Sequence, residues 1–288
     1  AIPDSIAATK ASTYDEVPYR GTPYRLSHPC HVAAVAALFD AGPPAVRGAR
    51  VLELGCAAGQ NLIPMAQDLP ESRYVGVDLS PRQIDQGRAL VDQLGLDIIE
   101  LHCTSIDQVD RSWGAFDYII AHGVFSWVPA SIQDHMLRLG RQALAPSGVL
   151  YVSYNTNPGW RLRGVVRDMM LYHVAGVADP REKVAQARAL LDFLAAEARP
   201  SDDVYRALLR QEAETLRQRD DAYLFHEHLE DTNAPIYFSE FVQRAAGAGL
   251  QYLGESDFPS MLLEQFDREA VELLERASLL RQEQYMDF

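Results

Sequence analysis

The run Val51-Leu52-Glu53-Leu54-Gly55-Cys56-Ala57-Ala58-Gly59-Gln60-Asn61 puts small residues where a strand would turn into a helix. Small side chains there let backbone amides approach a ligand closely at a helix N-terminus. A dinucleotide fingerprint would place glycine at 55, 57 and 60, whereas this chain has Ala57 and Gln60 and puts its second glycine at 59, which weakens an NAD-dependent oxidoreductase reading. Glu53, just ahead of the turn, would crowd a pyrophosphate but suits a cofactor bearing an ammonium and a sulfonium. Asp78 ends a second apolar run, followed by Leu79, Ser80 and Gln83, at the distance where βαβ nucleotide sites hold an acid for ribose hydroxyls. A carboxylate accepts from both hydroxyls at once; the alternative is that Asp78 only caps the next helix. Further candidates are His122 and Gly123, Trp127, and the pair Tyr154 and Asn155. The N-terminal segment adds Tyr14, Tyr19 and Tyr24, whose rings and hydroxyls can meet a sulfonium or an amine, or can simply pack on the domain surface. His226 and His228, two apart, point to different helix faces, and no H-E-x-x-H occurs, so they read as a lid contact or substrate-side pair and no metal site is expected.

The elements that position these residues alternate strand-like runs with amphipathic segments, the pattern of βαβ units on a parallel sheet. Strands are expected at Arg50–Leu54, Tyr74–Val77, Ile98–His102, Phe116–Ala121 and Gly148–Tyr154, with helices from about Asn61, from Ser80-Pro81 and over Ile132–Leu144. Ser80 suits an N-cap and Pro81 the first helical position. From Trp160 to about Arg219 the apolar spacing turns helical; a helix at Ser239–Ala246 then leads into a sixth strand, Leu250–Gly254, and a last helix, Leu262–Leu280. The fold class is therefore α/β, a doubly wound, mostly parallel Rossmann-like sheet with a helical cap inserted between strands five and six. The expected organisation is a leader and helix over the cofactor site (1–45), the core (46–159), the cap over the carboxyl ends of the strands (160–238), and a return to the core (239–288).

The glycine turn with Glu53 and Asp78 resembles the first motifs of class I, seven-stranded S-adenosylmethionine (SAM)-dependent methyltransferases. The resemblance implies SAM as cofactor, held by Tyr14, His28, Glu53, Gly55, Cys56, Ala57, Gly59, Asn61, Asp78, Leu79, Ser80, Gln83, Ser105, Ile106, His122, Gly123 and Trp127. Ser105 departs from the acid this superfamily often has near the adenine amine, and Trp127 either flanks the adenine or packs in the core. Three further stretches, the leader through Thr13-Tyr14 to Ser27-His28-Pro29, the segment Leu224–Phe238, and Glu283-Gln284-Tyr285, are similar to bacterial methyltransferases with a methyltransferase regulatory domain. That group includes protein-lysine methyltransferases that act on a surface protein and run well past an equivalent of Phe288. It implies methyl transfer to nitrogen or oxygen, with a protein lysine favoured and His122, Tyr154, Asn155, Tyr19 and Tyr24 around the acceptor. Alternatives are a small-molecule or peptide acceptor, or a non-catalytic SAM-binding regulator.

Composition sets the remaining bounds. The 288 residues are 48% hydrophobic and 23% charged, as in ordinary globular domains. Forty acidic against 26 basic residues give a net charge of −14, which would repel a phosphate backbone, so nucleic acid is not an expected partner. No apolar stretch approaches the ~20 residues of a membrane span, and the start has no signal-peptide pattern. Cys30, Cys56 and Cys103, odd in number and widely spaced, suit reduced thiols in a cytoplasmic protein. The end, an amphipathic helix followed by Tyr285 and Phe288, reads as cut from a longer protein with a further C-terminal domain.

Overall fold

The structure, a computed structural model, describes residues 17–19, 21–197 and 204–276, which fall into two compact units. Gly21–Asn157 with Ala234–Phe288 make one, and Ala1–Arg20 with Pro158–Asn233 the other, in so far as their residues are described. Tyr14 and the terminal Glu283–Phe288 stretch lie outside the described residues.

The first unit is a parallel sheet of β1 (Arg50–Leu54), β2 (Arg73–Asp78), β3 (Ile99–Cys103), β4 (Phe116–Ala121) and β5 (Leu144–Val152), in the order β3-β2-β1-β4-β5. The chain reverses its direction of travel between β1 and β4, the kind of switch point at which open α/β sheets bind ligands. Alternate residues of each strand face opposite sides. One face, with Val51, Tyr118, Ile120 and Tyr151, packs on α1 (Pro29–Leu38), α2 (Leu62–Asp68) and α3 (Pro81–Leu94). The other, with Leu52, Ile119, Ala121 and Val152, packs on α4 (Ala130–Ala143). Burial on both faces explains why β1 and β4 read as nearly unbroken apolar runs. Helix α3 starts as the sequence predicts, with Ser80 Oγ accepting from Gln83 N at 3.2 Å and Pro81 at its first position.

The second unit is helical: α5 (Trp160–Val174), α6 (Pro180–Glu197), α7 (Val204–Arg217) and α8 (Asp221–Leu224), the last running into a π-helical turn, Phe225–Leu229. Val166, Met170, Ala187, Leu209, Leu216 and Phe225 form its core. Arg167, 7% exposed, donates to the carbonyls of His228, Glu230 and Asp231, filling acceptors that the turn leaves open.

Two expectations need correction. Leu250–Gly254 is not a sixth strand: after α9 (Phe238–Gly247), Gly249 turns left-handed (φ +81°) and the run pairs with no strand among the described residues. Both it and β5 line a cavity of about 970 Å³, and β5 remains an edge strand of the sheet among the described residues. The expected helix Leu262–Leu280 is broken as well, into 3₁₀ turns at Phe258–Met261 and Leu263–Gln265 and then α10 (Arg268–Arg276). Phe266 is extended, and Asp267 accepts from Ala270 N at 2.8 Å to start α10 afresh. No described helix is long and apolar enough to cross a membrane.

Candidate functional site

At the carboxyl end of β1 the chain makes three left-handed residues in alternation, Gly55 (φ +72°), Ala57 (φ +50°) and Gly59 (φ +75°). Gly55 is required on two counts, because a Cβ there would also lie 2.5 Å from Val124 Cγ2 in the loop after β4. Asp78 fixes this turn: its Oδ2 accepts from Ala57 N and its Oδ1 from Ser80 N, both at 2.9 Å. One carboxylate thus ties the glycine turn to the start of α3.

Glu53 is 3% exposed and lies on the same sheet face as Val51. Its Oε1 accepts from Asn61 Nδ2 at 2.7 Å, while the buried Oε2 has no hydrogen-bond partner. Burial pushes its carboxyl up to about 7; the bond from Asn61 opposes the shift and the charge of Asp78 adds to it. Such an oxygen is suited to a cationic donor. Cys56 beside it is buried, and burial pushes its thiol well above the ordinary range.

Across the switch point, His122 follows β4. Its Nδ1 is 3.0 Å from Ser153 Oγ, which itself accepts from Gly123 N at 2.8 Å. Burial lowers the pKa of His122, which keeps the ring neutral at pH 7. Tyr24 stacks on that ring at 4.1 Å between centroids and 12° between planes. Ser153 was not among the expected site residues, yet the period-2 alternation of β5 carries the signal: Tyr151 and Ser153 share the face of His122, and Tyr154 takes the other.

Tyr154 accordingly does not join this group. Its ring stacks on Phe241 (4.4 Å) and meets Phe125 (6.1 Å) on the α4 face. Asn155 is tied by its backbone, N to Ser126 Oγ and O to Ile236 N. Trp127 is buried in a 3₁₀ turn, Phe125–Trp127. Ser105 precedes a 3₁₀ turn whose Ile106 is buried in the α4-side core, while Leu79 is exposed. Gln83 is buried with Oε1 unpartnered. His28 is used as the N-cap of α1, Nδ1 accepting from Cys30 N, and its Nε2 lies 3.7 Å from Asp68.

In the helical unit, Tyr19 packs edge-on against His226 at 5.7 Å. His226 contacts Glu230 Oε1 (3.0 Å) and the carbonyl of Val17 (2.6 Å). His228 Nε2 is 3.3 Å from Glu212, whose carboxylate also meets Arg163. Each histidine thus has its own buried carboxylate, and among the described residues no group of three or more His, Cys, Asp or Glu could hold a metal ion.

Residues 52–150 match the methyltransferase domain family, and residues 220–288 match the predicted methyltransferase regulatory domain family. The protein RP028 of Rickettsia prowazekii is 35% identical, over 83% of this chain and 96% of its own length. The chain belongs to the methyltransferases with a regulatory domain. RP789 of the same organism is 45% identical to this methyltransferase-family chain, over 96% of it and 50% of RP789. PKMT2 from Rickettsia typhi, solved in complex with AdoHcy, superposes with a TM-score of 0.85 at 36% identity, covering 94% of this chain and 52% of PKMT2. The methyltransferase-family chain therefore spans about half the length of RP789 and of PKMT2.

Proposed function

We propose that the protein binds SAM at the switch point and transfers its methyl group to the amine of a protein lysine. The observation that carries this is the buried, half-satisfied carboxylate of Glu53 beside a left-handed turn braced by Asp78. That donor set fits the cofactor: Glu53 Oε2 is an unpartnered buried carboxyl oxygen for an ammonium, Asp78 is the acid placed for ribose hydroxyls, and Gly55 keeps the backbone bare. PKMT2 in complex with AdoHcy supports the same reading, and a lysine acceptor follows from the resemblance to protein-lysine methyltransferases.

When bound, SAM supplies a methyl already activated on a sulfonium. What remains for the chain is to align the acceptor and handle its proton. His122, neutral through burial, can take that proton at Nε2 in the tautomer whose Nδ1–H donates to Ser153 Oγ. Tyr24 shields the ring's face, whereas Tyr154 has no part there. A cytoplasmic setting, suited to three free thiols, belongs to the same proposal. Calorimetry with SAM, AdoHcy and NAD in parallel, followed by mass spectrometry of protein acceptors, tests it: SAM and AdoHcy should bind, and lysine should gain 14 Da steps of about one methyl each. Binding of NAD alone would defeat the reading.

A further inference from the structure

Asn61 occupies the N-cap position of α2, where an asparagine usually accepts from an amide of the first turn, yet it makes no such bond. Its Oδ1 instead accepts from Tyr24 N at 2.9 Å, and its Nδ2 donates to Glu53 Oε1 at 2.7 Å and to Ser27 Oγ at 3.0 Å. Ser27 closes the ring of bonds by donating from Oγ to Tyr24 O at 2.9 Å. The amide orientation is fixed by this pattern, since exchanging its O and N would set two donors against each other at Tyr24 and two acceptors at Glu53. Asn61 and Ser27 are both buried, so these bonds are shielded from competing water.

We propose that Asn61 is a positioning residue that latches the leader Gly21–Ser27 to the cofactor site, holding one oxygen of Glu53 while the other is left for the cofactor. The latch sets Tyr24 on His122, so one side chain links the cofactor-side carboxylate to the acceptor-side ring pair. With the latch closed, cofactor release requires the leader to let go first. The part concerning release rests on the SAM reading; the part concerning the leader does not.

The test pairs amide hydrogen exchange with AdoHcy dissociation, on the 288-residue chain and its Asn61→Ala and Ser27→Ala variants. Losing a buried bond of this kind corresponds to about tenfold in an equilibrium. Asn61→Ala should speed exchange at Tyr24 N about tenfold and AdoHcy release by a similar factor, with β1 amides as protected as before. Unchanged protection at Tyr24, or faster exchange with an unaltered release rate, overturns the latch. Should Asn61→Ala expose β1 as well, Ser27→Ala, which leaves the Glu53 bond intact, is read by the same two criteria. If AdoHcy fails to bind the unaltered chain, the SAM reading falls, and Tyr24 exchange alone decides whether Asn61 holds the leader.

Discussion

At the residue scale, Glu53 ties the protein's stability to pH. An ordinary glutamic acid ionises near 4.5, and burial moves this one to about 7, so between those values the folded chain keeps a proton that the unfolded chain has lost. Stability should therefore fall as pH rises through this window, by about 3 kcal/mol in the cofactor-free protein, and level off above it. Glu53→Gln, which cannot ionise, should flatten that component; urea titrations of both proteins from pH 4.5 to 8 would reveal identical slopes if Glu53 were ionised throughout. The two aromatic candidates beyond the sheet also separate here. His122→Ala should cut turnover by about 10²-fold or more if the ring takes the acceptor proton. Tyr154→Phe should leave turnover and cofactor affinity within about twofold, since its ring is committed to Phe241 and Phe125. A large loss in Tyr154→Phe would return that residue to the site.

At the element scale, the turn after β1 and the loop after β4 are built against each other through Gly55 and Val124. Gly55→Ala meets both a left-handed backbone and a 2.5 Å clash. It should destabilise the fold by about 2–4 kcal/mol, of which about 1–2 is the backbone conformation. Adding Val124→Ala should recover the steric part and not the rest. A double-mutant cycle by thermal melting that shows strict additivity would mean the two loops do not press on one another. The helix starts were legible because Ser80-Pro81 carries its cap in the sequence. The Leu250–Gly254 run was misread as a strand because a pattern of apolar residues says nothing of whether a partner edge lies beside it.

At the scale of the whole molecule, each unit has its own core, and the helical one buries the guanidinium of Arg167. Arg167→Met keeps the volume but leaves the carbonyls of His228, Glu230 and Asp231 without their donor. The loss should cost about 2–4 kcal/mol and lower the urea midpoint, with helicity between 158 and 233 read by hydrogen exchange; an unshifted midpoint would mean water replaces the guanidinium. The fold class, the five strands, the glycine turn and the two acids Glu53 and Asp78 were determined by the sequence alone, because periodicity, caps and small residues at a turn act over a few neighbouring positions. Tertiary structure alone decided that Ser153 and not Tyr154 meets His122, that Asn61 reaches back 37 positions to Tyr24, and that each of His226 and His228 has its own carboxylate. Those pairings depend on which strands become neighbours and on which face each residue lands, and chain positions so far apart carry no local signal of either.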